Sequence, residues 1–181
     1  MNHVLKVCVR LVAPVVGVAL LAGCSPNTPG KAEPAPAVSG TPSSSAASTV
    51  FGDLKSCDLL NEALAGQSFP AGEPDRAGGP NSCAAQKAGY GTAGLALHSG
   101  LGLKDFTSDP SKIHDGDVNG RPAAQLRDIV GSKGGCAVAV AVGDKNRAFV
   151  NVVLSAGSTD EACDFAMSVA KKVEPFLPKG N

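Results

Sequence analysis

Val138, Val140 and Val142 stand two positions apart with alanines between them, and Val150, Val152 and Leu154 repeat the pattern further along the chain. A period of two places every second side chain on one face of a strand. Gly143-Asp144-Lys145-Asn146 separates the two runs with turn residues, so the segment predicts a β-hairpin. The period then changes. Ala162, Phe165, Ala166, Val169, Ala170 and Val173 recur at helical spacing behind Ser158-Thr159-Asp160-Glu161, a capping box, and Pro175 and Pro178 close the element. Earlier, Ser56 reads as the cap of a first helix that presents Leu59, Leu60, Ala63 and Leu64 on one face and ends at Gly66. Residues 67–82, rich in Gly, Pro and charge, read as a loop. Short strands are expected at Cys83–Lys87 and Leu95–His98, joined through a Gly89–Gly94 turn region. These pieces predict an α+β domain, an antiparallel sheet with flanking helices.

The N-terminal pattern is of another kind. Lys6 and Arg10 precede an apolar run, Leu11–Ala22, broken only by Pro14 and Gly17. This is the layout of a secretory signal, and it falls short of the about 20 apolar residues that span a bilayer. Leu21-Ala22-Gly23-Cys24, at the end of the run, resembles a bacterial lipobox. The resemblance implies removal of residues 1–23 and a thioether-linked diacylglyceryl group on Cys24; the alternative is an ordinary signal peptide with Cys24 incidental. One myristoyl chain holds a protein only marginally, but each buried CH₂ adds about 0.8 kcal/mol, so two acyl chains suffice as an anchor. The expected location is the extracytoplasmic face of the cell membrane.

Residues 24–49 follow as a tether, with Pro26, Pro29, Pro34, Pro36 and Pro42, then Ser43-Ser44-Ser45, and Val38 the single large aliphatic residue. Such a segment cannot bury enough apolar surface to offset its ordering entropy. Extended, its Pro-rich chain would reach roughly 78 Å; as a coil it would average about 25–30 Å. The single folded domain is then expected over residues 50–181.

Charge narrows the partners. Without Lys6 and Arg10, 14 basic residues face 16 acidic ones, about −2 overall. With no basic stripe, nucleic acid is excluded as a partner, and attraction to anionic lipid is expected to matter little beside the anchor. The absence of Trp and the single Tyr90 argue against an aromatic-lined carbohydrate or peptide groove.

Four cysteines remain in the domain, Cys57, Cys83, Cys136 and Cys163. An even count in an exported domain implies two disulfides. Of the three pairings, Cys57–Cys83 with Cys136–Cys163 is favoured, because it closes loops of about equal length and ties each helix start to a nearby strand start. No C-x₂-C pair is present, and His98 and His114 have no partner spacing, so no zinc site is expected. Asp109, Asp115 and Asp117 lack calcium-loop spacing and its closing Glu. The glycines lack phosphate-loop spacing. No cofactor is expected.

Together, the lipobox, the Pro/Ser tether and the Cys57-Asp58-Leu59-Leu60 helix start carry a wider resemblance. The second Cys, the Val118-Asn119-Gly120-Arg121-Pro122-Ala123 segment and the Cys136-Ala-Val-Ala-Val strand extend it, as does a Cys-containing last helix ending Phe176-Leu177-Pro178. The chain resembles actinobacterial lipoproteins gathered as domain-of-unknown-function family 3558, although Ala84-Ala85-Gln86 stands where many members place an aromatic residue after the second Cys. The resemblance implies an antiparallel sheet with flanking helices and an actinobacterial envelope, and it implies no activity. A looser likeness links the pattern to the two-disulfide extracellular sensor domains of mycobacterial receptor kinases, which are taken to bind ligands.

Function follows mainly from what is missing. His98 beside Ser99, and His114 beside Asp115, are the only material for a hydrolase, and no G-x-S-x-G elbow accompanies them. No catalytic residue is therefore assigned, and an envelope hydrolase using His98 or His114 with a nearby Ser or Asp is the alternative reading. Leu101, Leu103 and Phe106, around Gly100 and Gly102, lie between the two halves of the sheet and are the candidate contacts for an apolar ligand or a partner. The expectation is a non-catalytic binding module, monomeric, held to the membrane by its lipid, with a lipophilic ligand or an envelope protein as its partner.

Overall fold

A computed structural model describes residues 50–179 except 108 and 132; Cys24, the signal segment and the tether lie outside the described residues. Seven strands form one antiparallel sheet: β1 (Glu73–Pro74), β2 (Ser82–Lys87), β3 (Gly91–Ser99), β4 (Ile113–Val118), β5 (Arg121–Arg127), β6 (Gly135–Ala141) and β7 (Asn146–Leu154). Their spatial order is β1-β2-β3-β7-β6-β5-β4. Two helices, α1 (Ser56–Ala63) and α2 (Thr159–Val173), complete the regular structure, and neither is long and apolar enough to cross a membrane. The fold is the α+β arrangement expected.

Both helices lie on the same face of the sheet. The register pairs Cys83 with Leu95, Leu95 with Val150, and Val150 with Val138, so these side chains share one face. They form a single buried core with Leu60 and Ala63 of α1 and Ala162, Ala166, Val169, Ala170 and Val173 of α2. The alanines let α2 approach the valine-rich central strands closely. Two disulfides fasten this layer: Cys57–Cys83 joins α1 to β2, and Cys136–Cys163 joins β6 to α2, with Cα–Cα separations of 5.0 Å in both. These are the favoured pairs. Lys172 adds a third tie, donating to the Ala63 carbonyl at 2.8 Å.

The hairpin at 143–145 and the Ser158 capping box stand as the patterning predicts, with Ser158 Oγ accepting from the Glu161 amide and the Glu161 carboxylate accepting from the Ser158 amide. Three expectations change. Ser56 does not cap α1: it is the first helical residue, behind Lys55, which makes no side-chain cap. The cap comes from a distant loop instead, where Asn81 Oδ1 accepts the Ser56 amide at 2.9 Å and Asn81 Nδ2 donates to the Leu54 carbonyl. The 67–82 segment is not all loop, because Glu73–Pro74 pairs with β2. The 89–94 glycines are not all turn, because β3 begins at Gly91. A Cβ on Gly91 would lie 2.2 Å from the Val153 carbonyl oxygen, and one on Gly94 would lie 2.3 Å from Asn151 Oδ1. Glycine there marks close approach within a strand.

A second hairpin, β4–β5, was not expected. Its turn is Asn119-Gly120, both left-handed at φ 52° and 83°, as a two-residue type I′ connection requires. The turn docks on the end of α2. Asn119 Nδ2 donates to the Lys171 carbonyl, and Arg121 Nε donates to Glu174 Oε1 at 2.8 Å. Arg121 Nη1 also donates to the Pro178 carbonyl. The Arg121–Glu174 side chains are only 16% and 15% exposed, so removing one partner strands a largely desolvated charge.

Two outcomes follow from this architecture. Each disulfide closes a loop of 26 or 27 residues, so on the loop-entropy model the Cys136→Ala/Cys163→Ala pair should lower unfolding free energy by about 3.5 kcal/mol. Denaturant titration measures the loss, and non-reducing peptide mapping checks the pairing.

The hydrogen bond from Arg121 holds the Glu174 carboxyl below its ordinary value, with Asn119 adding to the effect. A carboxyl depressed in the folded state contributes stability that is present above its ordinary pKa and lost as pH falls through the lowered folded value. Arg121→Met should cost about 2–4 kcal/mol at pH 7. It should also flatten the decline in stability below the ordinary carboxylate range, as read from melting temperatures between neutral and acid pH.

Candidate functional site

With α1 and α2 on one face, the other face of the central strands carries small residues: Gly94 and Ala96 on β3, Ala137 and Ala139 on β6, Ala124 on β5. The connection from β3 to β4 crosses this face and supplies its cover. Phe106 is buried over Ala124, Ala137 and Ala139, and Leu103, Ile113, Leu126, Ile129 and Phe149 pack around them as a second, thinner core.

Arg147 opens β7 on this face. It is 5% exposed. Its Nη1 donates to the Gly102 carbonyl at 2.8 Å, and its Cζ lies 5.5 Å from the Phe106 ring centroid and 5.9 Å from that of Phe149. Both contacts are within cation–π range. Burial pulls the guanidinium below its ordinary pKa, and Asp105 partly offsets the effect. Gly102 is fixed on three sides. Its amide donates to Asp105 Oδ2 at 2.9 Å, its carbonyl accepts from Arg147, and a Cβ there would lie 2.2 Å from the Asp144 carbonyl oxygen.

His98 is the cross-strand neighbour of Arg147. Its ring stacks on Phe149 with centroids 5.8 Å apart, and Nε2 lies 2.9 Å from the Gly78 carbonyl. A carbonyl only accepts, so Nε2 is the donor in this bond. Among the described residues, two buried side-chain nitrogens have no hydrogen-bond partner, His98 Nδ1 and Arg147 Nε. They belong to adjacent residues.

Beside them the sheet ends in a hollow of about 460 Å³ whose apolar wall is Phe51, Leu97 and Leu101, with His98 and Ser99 on the rim. On the far side of Gly102 lies a second hollow of about 530 Å³, lined by Leu103, Lys104, Arg121 and Pro122 among others. The three apolar residues singled out in the sequence are therefore not one lining. They belong to the loop that covers the sheet, where Leu101 faces one hollow, Leu103 the other, and Phe106 is buried between strands and loop. A non-periodic cover loop alternates its contacts irregularly, which is why spacing alone grouped them.

Strand geometry separates the catalytic candidates. His98 and Ser99 are consecutive in β3, and His114 and Asp115 are consecutive in β4, so each pair points to opposite faces of the sheet. His114 is exposed on an edge strand. Asp109 accepts from the Ser111 amide and hydroxyl, and Asp117 accepts from the Gly120 amide. These carboxylates shape turns. Among the described residues no three His, Cys, Asp or Glu side chains gather at metal-binding distance.

Sequence reasoning missed Phe51, Arg147 and Phe149. The signal for the last two was present: Arg147 and Phe149 share the β7 face opposite Val150 and Val152. An Arg on that face reads as solvent-exposed until the loop above it is placed.

No curated protein and no solved structure matches the chain, so the looser likeness to receptor-kinase sensor domains gains no support. A family model does match, over residues 19–175, from just before the lipobox-like segment to the end of the last helix. The chain belongs to the family described as protein of unknown function, DUF3558.

Proposed function

We propose that the protein is a non-catalytic, lipid-anchored module of the extracytoplasmic membrane face that binds an apolar ligand in the hollow walled by Phe51, Leu97 and Leu101. The single observation that carries this reading is the hollow itself, which is mostly apolar. Ligand pockets are concave and largely apolar with a few convergent polar groups. Polar residues border the hollow from both faces of β3, His98 on one and Ser99 on the other. Two disulfides and a core shared by both helices favour a rigid presenting scaffold over a moving catalytic lid. The His98 and His114 rings have no hydrogen-bonded Ser or carboxylate among the described residues, which leaves the hydrolase alternative without its second member.

The anchor part of the reading rests on Leu21-Ala22-Gly23-Cys24 and on a family match that takes these residues in. Mass spectrometry of the protein from its native membrane should find Cys24 as the first residue, carrying diacylglycerol. Cys24→Ala should release the chain from the membrane fraction. Retention of Cys24→Ala on the membrane would contradict the anchor.

The ligand part is tested by extracting the purified mature chain with organic solvent. A stoichiometric apolar molecule is expected from the wild type and its loss from Leu101→Asp, which places a carboxylate in the hollow wall. A clean extract, together with turnover in an esterase panel that Ala at His98 abolishes, would replace binding with catalysis.

A further inference from the structure

The second hollow continues the thinner core. Its apolar floor is Leu103 of the cover loop with Pro122 of β5 and Ala141 of β6. Pro122 stands two positions before Ala124, and Ala141 two after Ala139, so both lie on the sheet face that Phe106 covers. Beside them a hollow of about 530 Å³ remains, within the size range of small-molecule sites.

Its rim is charged, with Lys104, Arg121, Lys179 and Asp144 among the lining residues. Arg121 is already matched by Glu174. Lys104, Lys179 and Asp144 take part in none of the ion pairs among the described residues, which are Lys112–Asp109, Arg121–Glu174 and Arg127–Asp160. The rim thus keeps two unmatched ammonium groups against one carboxylate, in a domain whose acidic residues outnumber its basic ones. A concave site with a local excess of one sign concentrates ligands of the other.

Both ammonium groups stand on backbone that largely buried arginines hold. Arg121 Nη1 donates to the Pro178 carbonyl at 2.7 Å, which fixes the chain beside Lys179. Arg147 Nη1 donates to the Gly102 carbonyl, and the Gly102 amide donates to Asp105 Oδ2, which together fix the turn Leu103–Asp105 that carries Lys104. The rim is therefore set before a ligand arrives, and the ordering cost of binding is lower.

We propose that this second hollow is a separate binding site for a small organic monoanion, whose acid group is met by Lys104 and Lys179 while its apolar body lies on Leu103, Pro122 and Ala141. The site goes beyond the apolar-ligand reading above and does not depend on it, because the two hollows share no lining residue. Lysine is a point charge on a flexible stem, so it meets an acid group without demanding a fixed plane. Asp144 on the same rim disfavours a ligand with several negative charges, which is why a single acid group is the complement.

The test uses the mature chain with Cys24→Ser, so that no acyl anchor competes. Fluorescence titrations compare anilinonaphthalene sulfonate with phenylnaphthylamine, which has the same rings without the charge. The sulfonate should saturate one site and weaken as salt is raised. Lys104→Gln combined with Lys179→Gln should weaken it about tenfold, the scale of two exposed ion pairs, and leave the neutral probe unchanged. Ala141→Glu, which puts a carboxylate on the floor, should weaken the sulfonate further. Leu101→Asp, in the first hollow, should leave it unchanged. Both lysines are exposed, so the double variant should keep its fold, which melting curves check. Should Ala141→Glu unfold, the lysine substitutions still decide the matter.

Sulfonate binding that Leu101→Asp removes and the lysine substitutions do not would place the probe in the first hollow and overturn the second site. No saturable sulfonate binding by the wild type would overturn it as well, and would leave the apolar ligand of the first hollow standing on its own test. Sodium acetate, titrated separately, carries the acid group without the rings: saturation by acetate as readily as by the sulfonate would overturn the role of the apolar floor and leave a simple anion site.

Discussion

Both helices pack on one face of the sheet, and most of the remaining structure answers to that constraint. The face they cover is built for close contact, with alanines on α2 against valines on β6 and β7 and a disulfide at each helix. Apolar burial supplies the stabilisation there, and the crosslinks reduce the entropy of the unfolded chain. The opposite face has no helix. A domain of this size must still shield its central strands, and it does so with one crossing loop laid over alanines. Small side chains allow the loop backbone to come close, but they bury little area themselves. That thinner layer is where a buried Arg147 without an ion pair among the described residues can exist, because less packing energy is at stake than under the helices.

Arg147 and Gly102 show how the thin layer is held. The loop is fixed by polar bonds at a few points: Gly102 to Arg147 and Asp105, and Gly100 to Asn146. Sites on a protein that must admit a ligand are drawn from such regions of low local stability. The helix-covered face, with its disulfides and the Lys172 tie, serves as the rigid scaffold behind them.

What was legible in the sequence follows the same division. The covered face has a strict pattern, and so the 143–145 hairpin, α2 with its cap, the core residues of α1 and both disulfide pairs could be read from spacing. The Ser56 cap could not, because Asn81, 25 positions away, supplies it, and tertiary partners are invisible to a local rule. The β4–β5 hairpin had an Asn-Gly turn signal, but β4 is Ile-His-Asp-Gly-Asp-Val, an exposed edge strand without an apolar face. Charge on an edge strand protects it from pairing with other chains and also hides it from a hydrophobic pattern. The candidate site was half legible. His98 and Leu101 meet at one hollow, which Phe51 joins from a distant segment, while Arg147 and Phe149 come to lie beside His98 through a register that no single segment encodes. Ser99 and Asp115 illustrate the converse, since adjacency in sequence within a strand means opposition in space.

The central claim is that this fold holds an apolar ligand at the open end of its sheet and performs no chemistry there. A crystal structure of the mature chain purified from its own cell envelope tests it most directly. Continuous elongated density is expected between Phe51, Leu97 and Leu101. An empty hollow, with His98 turned to hydrogen-bond a serine hydroxyl and a carboxylate, would contradict it.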